Sequence, residues 1–381
     1  MILYLDLKDV FIYLMNTYLL YDFQDIISLM LCNKSIHDLI IKNVFNSIYI
    51  IYDYMAPYIN DYHLSLMPNV ECIASKTIYP ISDYNGITRH GIRNLPNPHK
   101  LYELNLSVEE NSFFYIKNND LMRLTNLQFL ILNNNNYITN ISKLTNLTVL
   151  SLVYQLGVYD ISMLKKLCNL SLDNNVIITD EQLIHLTNLV ELSLEENCMI
   201  TNDGLSHLTK LTCLNLSDNI IITTLFTCLT HLNLSYNEMI IDDQLSQLTN
   251  LTILDLVYNR SITDNSLSVL TNLTVLDLSD NSRITNDSLS LLTNLTDLKL
   301  VSNENITDDG LILTNLTMLD ISNNDRITDQ SLSQLTKLNT LYMHDNKVVS
   351  IDTIKKLNLT TICVKDSFIN PSDVSDTLIF C

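Results

Sequence analysis

The sequence predicts an α/β solenoid, a parallel β-sheet laid down one short strand per coil with a single helical turn on the opposite side. Three observations predict it. First, a phrase of the form LxxLxLxxNxxIT recurs, as LTVLDLSDNSRIT over residues 273–285 and LTILDLVYNRSIT over 251–263. Its Asn returns at Asn135, Asn175, Asn197, Asn219, Asn237, Asn259, Asn281, Asn303, Asn324 and Asn346, with Gln155 in the one gap. The steps are mostly 20 to 22 residues, with one of 18, and such a period marks units that bury their apolar faces only against their neighbours. Second, the xLxLx core alternates apolar and polar residues, the period of a half-buried strand. Third, only six or seven residues after each Ile-Thr pair hold the outer segment, room for one 3₁₀ or α turn and not for a full helix.

Each element then has a reason. The Leu residues of the phrase point inward, and the Asn turns the chain out of the strand. Its side-chain amide is suited to backbone groups that a tight bend leaves unpaired, and Gln155 does the same with one more methylene. The Ile re-enters the core. Asp or Asn two residues later (Asp180, Asn202, Asp264, Asn286, Asp308, Asp329) is placed to cap the helical turn. At about 4.8 Å per coil, a dozen strands make a sheet roughly 55 to 60 Å long, of moderate curvature.

This grammar resembles that of leucine-rich repeat proteins, and the resemblance covers residues 66–367. Regular repeats are expected over 101–367, and a closing cap over 368–381. Residues 56–100 hold five of the six prolines and read as a joint that conceals a degenerate first repeat starting near Leu66. Residues 1–55 carry apolar residues at helical spacing, with Ile26, Leu29 and Met30 sharing a face. This segment resembles an F-box through Leu7, Val10, Phe11, Met15, Tyr18, Leu19, Asp25, Ile26, Leu29, Leu31, Cys32, Lys34, Ile36 and Leu39. It departs from that pattern at Lys8, where Pro is usual, and at Ile36, where Trp is usual. The other reading of the segment is a plain helical cap for the open end of the coil stack.

Composition narrows the function classes. The formal net charge of −20 repels phosphate backbones and anionic lipid heads and favours a basic protein partner, so neither nucleic acid nor membrane is expected. No uncharged run approaches the roughly 18 residues that span a bilayer. Asp6, Lys8 and Asp9 break the first apolar stretch, so a signal peptide is not expected. The eight Cys show no paired spacing, as in a reduced intracellular protein, and a cytoplasmic location is expected. Richness in Ile, Asn, Tyr and Leu with no Trp fits an AT-rich genome, such as that of a large DNA virus, in which case the location is the host cytoplasm.

No phosphate loop, HExxH, GxSxG or paired-Cys motif occurs. His185 and His207 share a register 22 residues apart, but Gln247, Val269 and Leu291 follow there, so no metal and no cofactor is expected, and no catalysis. The informative surface is the concave strand face. Phe129, Ile131, Val149 and Val153 predict an apolar cluster near its start. Asp255, Val257, Asp277, Asp297, Lys299, Asp320, Tyr342 and His344 mark a mixed acidic and apolar zone further along. Solenoids bind proteins on such faces. The F-box resemblance implies a non-enzymatic substrate-recognition adaptor of an SCF-type cullin-RING ubiquitin ligase. Leu7, Val10, Phe11, Leu19, Ile26 and Leu29 would then dock on the ligase's adaptor subunit. The alternatives are a general protein-interaction scaffold and a secreted recognition protein of the internalin type, whose Cys would pair.

Overall fold

The structure, a computed structural model, describes residues 50–51, 61–73, 89–107, 116–365 and 379–380. It divides into two compact units, Met1–Lys166 and Leu167–Cys381. The helical segment expected over 1–55 lies outside the described residues, apart from Ile50 and Ile51.

In the first unit, β1 (Ile50–Ile51), β2 (Cys72–Ile73), β3 (Glu103–Asn105), β4 (Phe129–Ile131) and β5 (Val149–Ser151) pair in parallel and in chain order. The ladder therefore reaches back to Ile50, earlier than the start expected near Leu66. Two residues suffice for backbone pairing even where the repeat phrase has faded. In the second unit the ladder runs from β6 (Asn169–Ser171) through β7 (Glu191–Ser193), β8 (Cys213–Asn215), β9 (His231–Asn233), β10 (Ile253–Asp255) and β11 (Val275–Asp277). It continues through β12 (Asp297–Lys299), β13 (Met318–Asp320), β14 (Thr340–Tyr342) and β15 (Thr361–Cys363) to β16 (Ile379–Phe380). The expected closing cap thus contributes a parallel strand.

In the regular coils each three-residue strand buries its middle Leu and leaves the flanking residues facing water. Leu170, Leu276 and Leu298 are fully buried, as are the second Leu of each phrase and the returning Ile, such as Leu278 and Ile284. Each such side chain stabilises the stack by about 1.5 to 3 kcal/mol.

The frame's Asn is fully buried and makes four hydrogen bonds. Asn197 Nδ2 donates to Leu172 O at 2.8 Å and Asn175 O at 3.0 Å in the preceding coil. Its Oδ1 accepts from Met199 N and Ile200 N, both at 3.0 Å, in its own coil. Asn219, Asn237, Asn259, Asn281 and Asn303 repeat the pattern. In the first unit Gln155 Nε2 donates to Asn135 O and Ile138 O, both at 2.8 Å, as expected for an amide with a longer reach.

The Asp or Asn after Ile-Thr plays a different part from the one expected. Thr is the cap: Thr201, Thr263, Thr285 and Thr328 accept the N–H two residues on. The Asp or Asn is already past the cap, too far along to reach back, and its side chain crosses to the next coil. Thr201 N donates to Asp180 Oδ1 at 2.9 Å and Thr201 Oγ1 to Asp180 Oδ2 at 2.6 Å. Thr263 and Thr328 bond Asp242 and Asp308 in the same way, while Asn202 and Asn286 serve Thr223 and Thr307 as neutral amides. Buried Ser266 and Ser331 add hydroxyl donors to Asp242 and Asp308. Gly204 fills the same place beside Asp180, where a Cβ would collide with the carboxylate.

The cysteine expectation fails at one position. Cys72, Cys168, Cys198, Cys213 and Cys228 are free, but Cys363 is disulfide-bonded. Pairing follows from which side chains the fold brings together, and sequence spacing does not report that.

Two expected outcomes follow from these ladders. Asn259→Ala strands buried donors and acceptors on two coils, so urea denaturation should show a loss of about 3 kcal/mol, at about 1 to 3 kcal/mol per stranded group with partial relaxation. Asn259→Asp should lose at least as much, because a carboxylate cannot donate to Leu234 O and Asn237 O. The second outcome concerns pH. Burial pushes the carboxyls of Asp242, Asp308 and Asp329 upward, but bonds from the neighbouring Ser and Thr residues more than offset it and hold all three below 3.8. Their contribution is therefore complete above the unfolded value of 3.8 and is lost as pH falls through the lower folded values. The melting temperature should drop below pH 3.8, and less steeply in Asp308→Asn.

Candidate strand-face binding site

The side chains facing water from the strands form columns, because each strand is in register with the next. In the second unit the residue after the middle Leu gives Asn215, Asn233, Asp255, Asp277, Lys299, Asp320 and Tyr342 on successive strands. Of the zone expected from sequence, Asp255, Asp277, Lys299, Asp320 and Tyr342 stand in this one column. Lys299 Nζ lies 3.0 Å from Asp277 Oδ2. That bond raises the lysine's pKa against the opposing effect of partial burial, with Asp255 and Asp320 adding to it.

These Asp and Asn side chains share a local task. Asp255 Oδ1 accepts Val257 N at 3.0 Å, Asp277 Oδ1 accepts Ser279 N at 3.0 Å, and Asp320 Oδ1 accepts Ser322 N at 2.9 Å. Asn215 and Asn233 take the N–H of Ser217 and Ser235 at 3.0 and 2.8 Å. One side-chain oxygen satisfies the backbone as the strand ends. Neighbouring coils add Ser235 Oγ, which donates to Asp255 Oδ1 at 2.6 Å, and Lys299, which pairs with Asp277. Asp255 is the most enclosed of these acids. Burial raises its pKa above 3.8, opposed by bonds from Ser235 and Val257, with the negative Asp277 adding to the rise.

The other predicted residues divide by position. Asp297 stands before the middle Leu, in the column of Val275 and Met318, and accepts Thr296 Oγ1 at 2.6 Å. Val257 and His344 lie two residues beyond the central column and are half-buried. His344 Nδ1 accepts Lys365 N at 3.1 Å, so one ring nitrogen serves the backbone. In the first unit Phe129 pairs in register with Val149, but Ile131 pairs with Ser151. Phe129 also meets Tyr102 edge-on at 6.2 Å. Phe129 and Val149 of the expected apolar cluster are thus neighbours in one column, and Ile131 lies beside Ser151 in the next. Leu7, Val10, Phe11, Leu19, Ile26 and Leu29 lie outside the described residues.

Two features were not anticipated from sequence. An open depression of about 400 Å³ crosses β6 to β10, walled by Glu191, Cys213 and His231 on one side and Ser193, Asn215, Asn233 and Asp255 on the other. Burial and then the charge of Glu191 raise the pKa of Cys213, which keeps it a thiol at neutral pH and a poor nucleophile. The second feature is a stacked pair, Tyr236 and Tyr258, at the strand ends. Both stand in the column just before the frame's Asn, where the residues from Asn174 to Asp345 have φ between 49° and 56°. Among the described residues no group of three His, Cys, Asp or Glu side chains could hold a metal ion. No helix among them is long and apolar enough to cross a membrane.

A leucine-rich repeat model matches residues 185–208, 227–243, 247–270, 269–292 and 291–313, and a two-copy leucine-rich repeat model matches 314–356. No curated protein matches the chain. Among solved structures, an internalin from Listeria monocytogenes is similar at 27% identity and TM-score 0.52, over 78% of this chain and 90% of that one. A leucine-rich repeat protein of Leptospira interrogans is similar at 21% identity and TM-score 0.51, over 90% and 97%. The yeast complex of Rad7 and Elc1 contains a chain similar at 18% identity and TM-score 0.52, over 97% and 96%. The last two likenesses are of fold.

Replacing Asp277 with Asn keeps the acceptor for Ser279 N and removes the partner of Lys299. Stability should change by less than about 1 kcal/mol, as for an exposed ion pair. Carboxyl NMR titration should show the Asp255 midpoint moving down, since one of the charges that raised it is gone.

Proposed function

We propose, from the premise that these repeats are leucine-rich repeats, that the chain is a non-enzymatic protein-binding scaffold whose strand face holds a target with a basic surface. One observation carries this reading. Asn215 and Asn233 perform the same backbone task as Asp255, Asp277 and Asp320, so that task calls for an acceptor and not for a charge. The three carboxylates stand in register on a face already open to water, where they can pair with cations of a partner. The thiol beside them stays protonated, a poor state for a nucleophile.

The finer proposal concerns what the scaffold is joined to. The resemblance of residues 1–55 to an F-box supports an SCF-type cullin-RING ligase adaptor. Leu7, Val10, Phe11, Leu19, Ile26 and Leu29 would dock on the adaptor subunit, and the strand face would bring target lysines near a bound conjugating enzyme, a contribution of proximity alone. A chain of the yeast complex of Rad7 and Elc1, alike in fold over 97% of this chain, is likewise found together with a second protein. A second reading, a surface recognition protein, is favoured by the disulfide at Cys363 and the likeness to an internalin. It uses the same face.

A pull-down separates them. The full-length chain should recover the ligase adaptor and cullin, and Leu29→Asp should abolish recovery while the chain still binds its target. Absence of both subunits from the wild-type recovery, together with a Cys363 disulfide that persists in the protein isolated from its native cells under thiol-blocking conditions, would replace the adaptor reading with the surface one.

A further inference from the structure

We propose that Tyr236 and Tyr258 form the seat for an arginine side chain of the target, so that the strand face selects a basic peptide segment for its guanidinium groups and not for charge alone. This rests on the reading of the strand face as the target-binding surface. The two rings stack with centroids 4.9 Å apart and planes 18° apart, and the residues remain 51% and 40% exposed. Each immediately precedes a ladder Asn, at φ of 56° and 52°. A bulky side chain is a costly choice in that left-handed region. Corresponding positions on other coils hold Asn174, Asp218, Asp280 and Asn323, types that tolerate it, and also Tyr154, Glu196 and Ser302. What sets this pair apart is two tyrosines stacked on adjacent coils. The tyrosines gain little burial in exchange, and strain of this sort is retained where a site uses it.

The surroundings specify the ligand's chemistry. Asp218 and Asp280 occupy the same position on the coils to either side, and the negative charge of Asp280 raises the pKa of the Tyr258 hydroxyl. Asp255, with its charge left over from the backbone task, lies three residues before Tyr258. An aromatic face is electron-rich, and a carboxylate beside it accepts hydrogen bonds. A guanidinium meets both demands, lying flat on a ring while its edge donates to the acid. A lysine ammonium has no flat face and holds its water more tightly, and an anionic partner would be repelled.

The test titrates the full chain with two labelled octapeptides, (Arg-Gly)₄ and (Lys-Gly)₄, by fluorescence anisotropy. The arginine peptide should bind about 2- to 5-fold more tightly, the increment of one exposed cation–aromatic contact. The double variant Tyr236→Asn/Tyr258→Asn should lose that preference with lysine-peptide affinity unchanged. Asn suits the left-handed region, so an unchanged melting temperature is expected. Tyr236→Phe/Tyr258→Phe should keep the preference. No preference in the wild-type chain, or one that survives in the Asn variant, overturns the proposal while leaving the strand-face reading in place. If Asp255→Asn/Asp277→Asn weakens neither peptide, the strand-face reading falls and this proposal with it.

Discussion

One buried amide per coil sets the conditions for everything else in the repeats. Where the chain leaves a strand through a left-handed residue, two N–H groups of its own coil and two carbonyls of the coil before are turned into the interior. Each would cost about 1 to 3 kcal/mol if left alone. A single Asn side chain answers all four, as Asn197 does for Met199, Ile200, Leu172 and Asn175. A carboxylate could not donate, and a hydroxyl could not reach both coils. Because the amide spans two coils, it sets how one seats on the next. The register of the strands, and hence the columns on their open face, inherits that setting.

The open face is then free to vary within a narrow rule. At several strands the central position supplies an acceptor for the N–H two residues on, a task that Asn215 and Asp255 perform alike. Lys299 and Tyr342 stand in the same column without performing it. Charge is therefore a free choice at these positions, and the second unit makes it in one direction over β10, β11 and β13, with Lys299 set among the acids. Partner selection can change along this surface without disturbing the core beneath it, because middle Leu residues such as Leu254, Leu276 and Leu298 point the other way.

Much of the fold was legible in the sequence because the repeat states the same physical problem many times. Asn in a fixed place after an alternating strand, Ile returning three residues later and a short outer turn each have one economical solution. Less legible was whatever depends on the neighbouring coil. The Asp after Ile-Thr reads as a cap for its own turn, yet its carboxylate serves Thr on the coil that follows, a contact visible only once the coils are stacked. The tyrosine pair went unread because φ of the residue before the Asn is a property of the backbone, and an Asn, a Glu or a Tyr there gives no common signal.

The two side-chain ladders have a direction. In the buried-amide ladder, and in the Thr ladder wherever the acceptor is Asp, the donor sits on the later coil and the acceptor on the earlier one. Asn197 reaches back to Leu172 and Asn175, and Thr201 reaches back to Asp180, whereas Asn202 and Asn286 also donate forward to Thr223 and Thr307. A chain leaving the ribosome emerges from its N-terminus, and such chains commonly fold in that order. Each new turn of this protein would thus arrive carrying most of the hydrogens, and find the oxygens that receive them already in position.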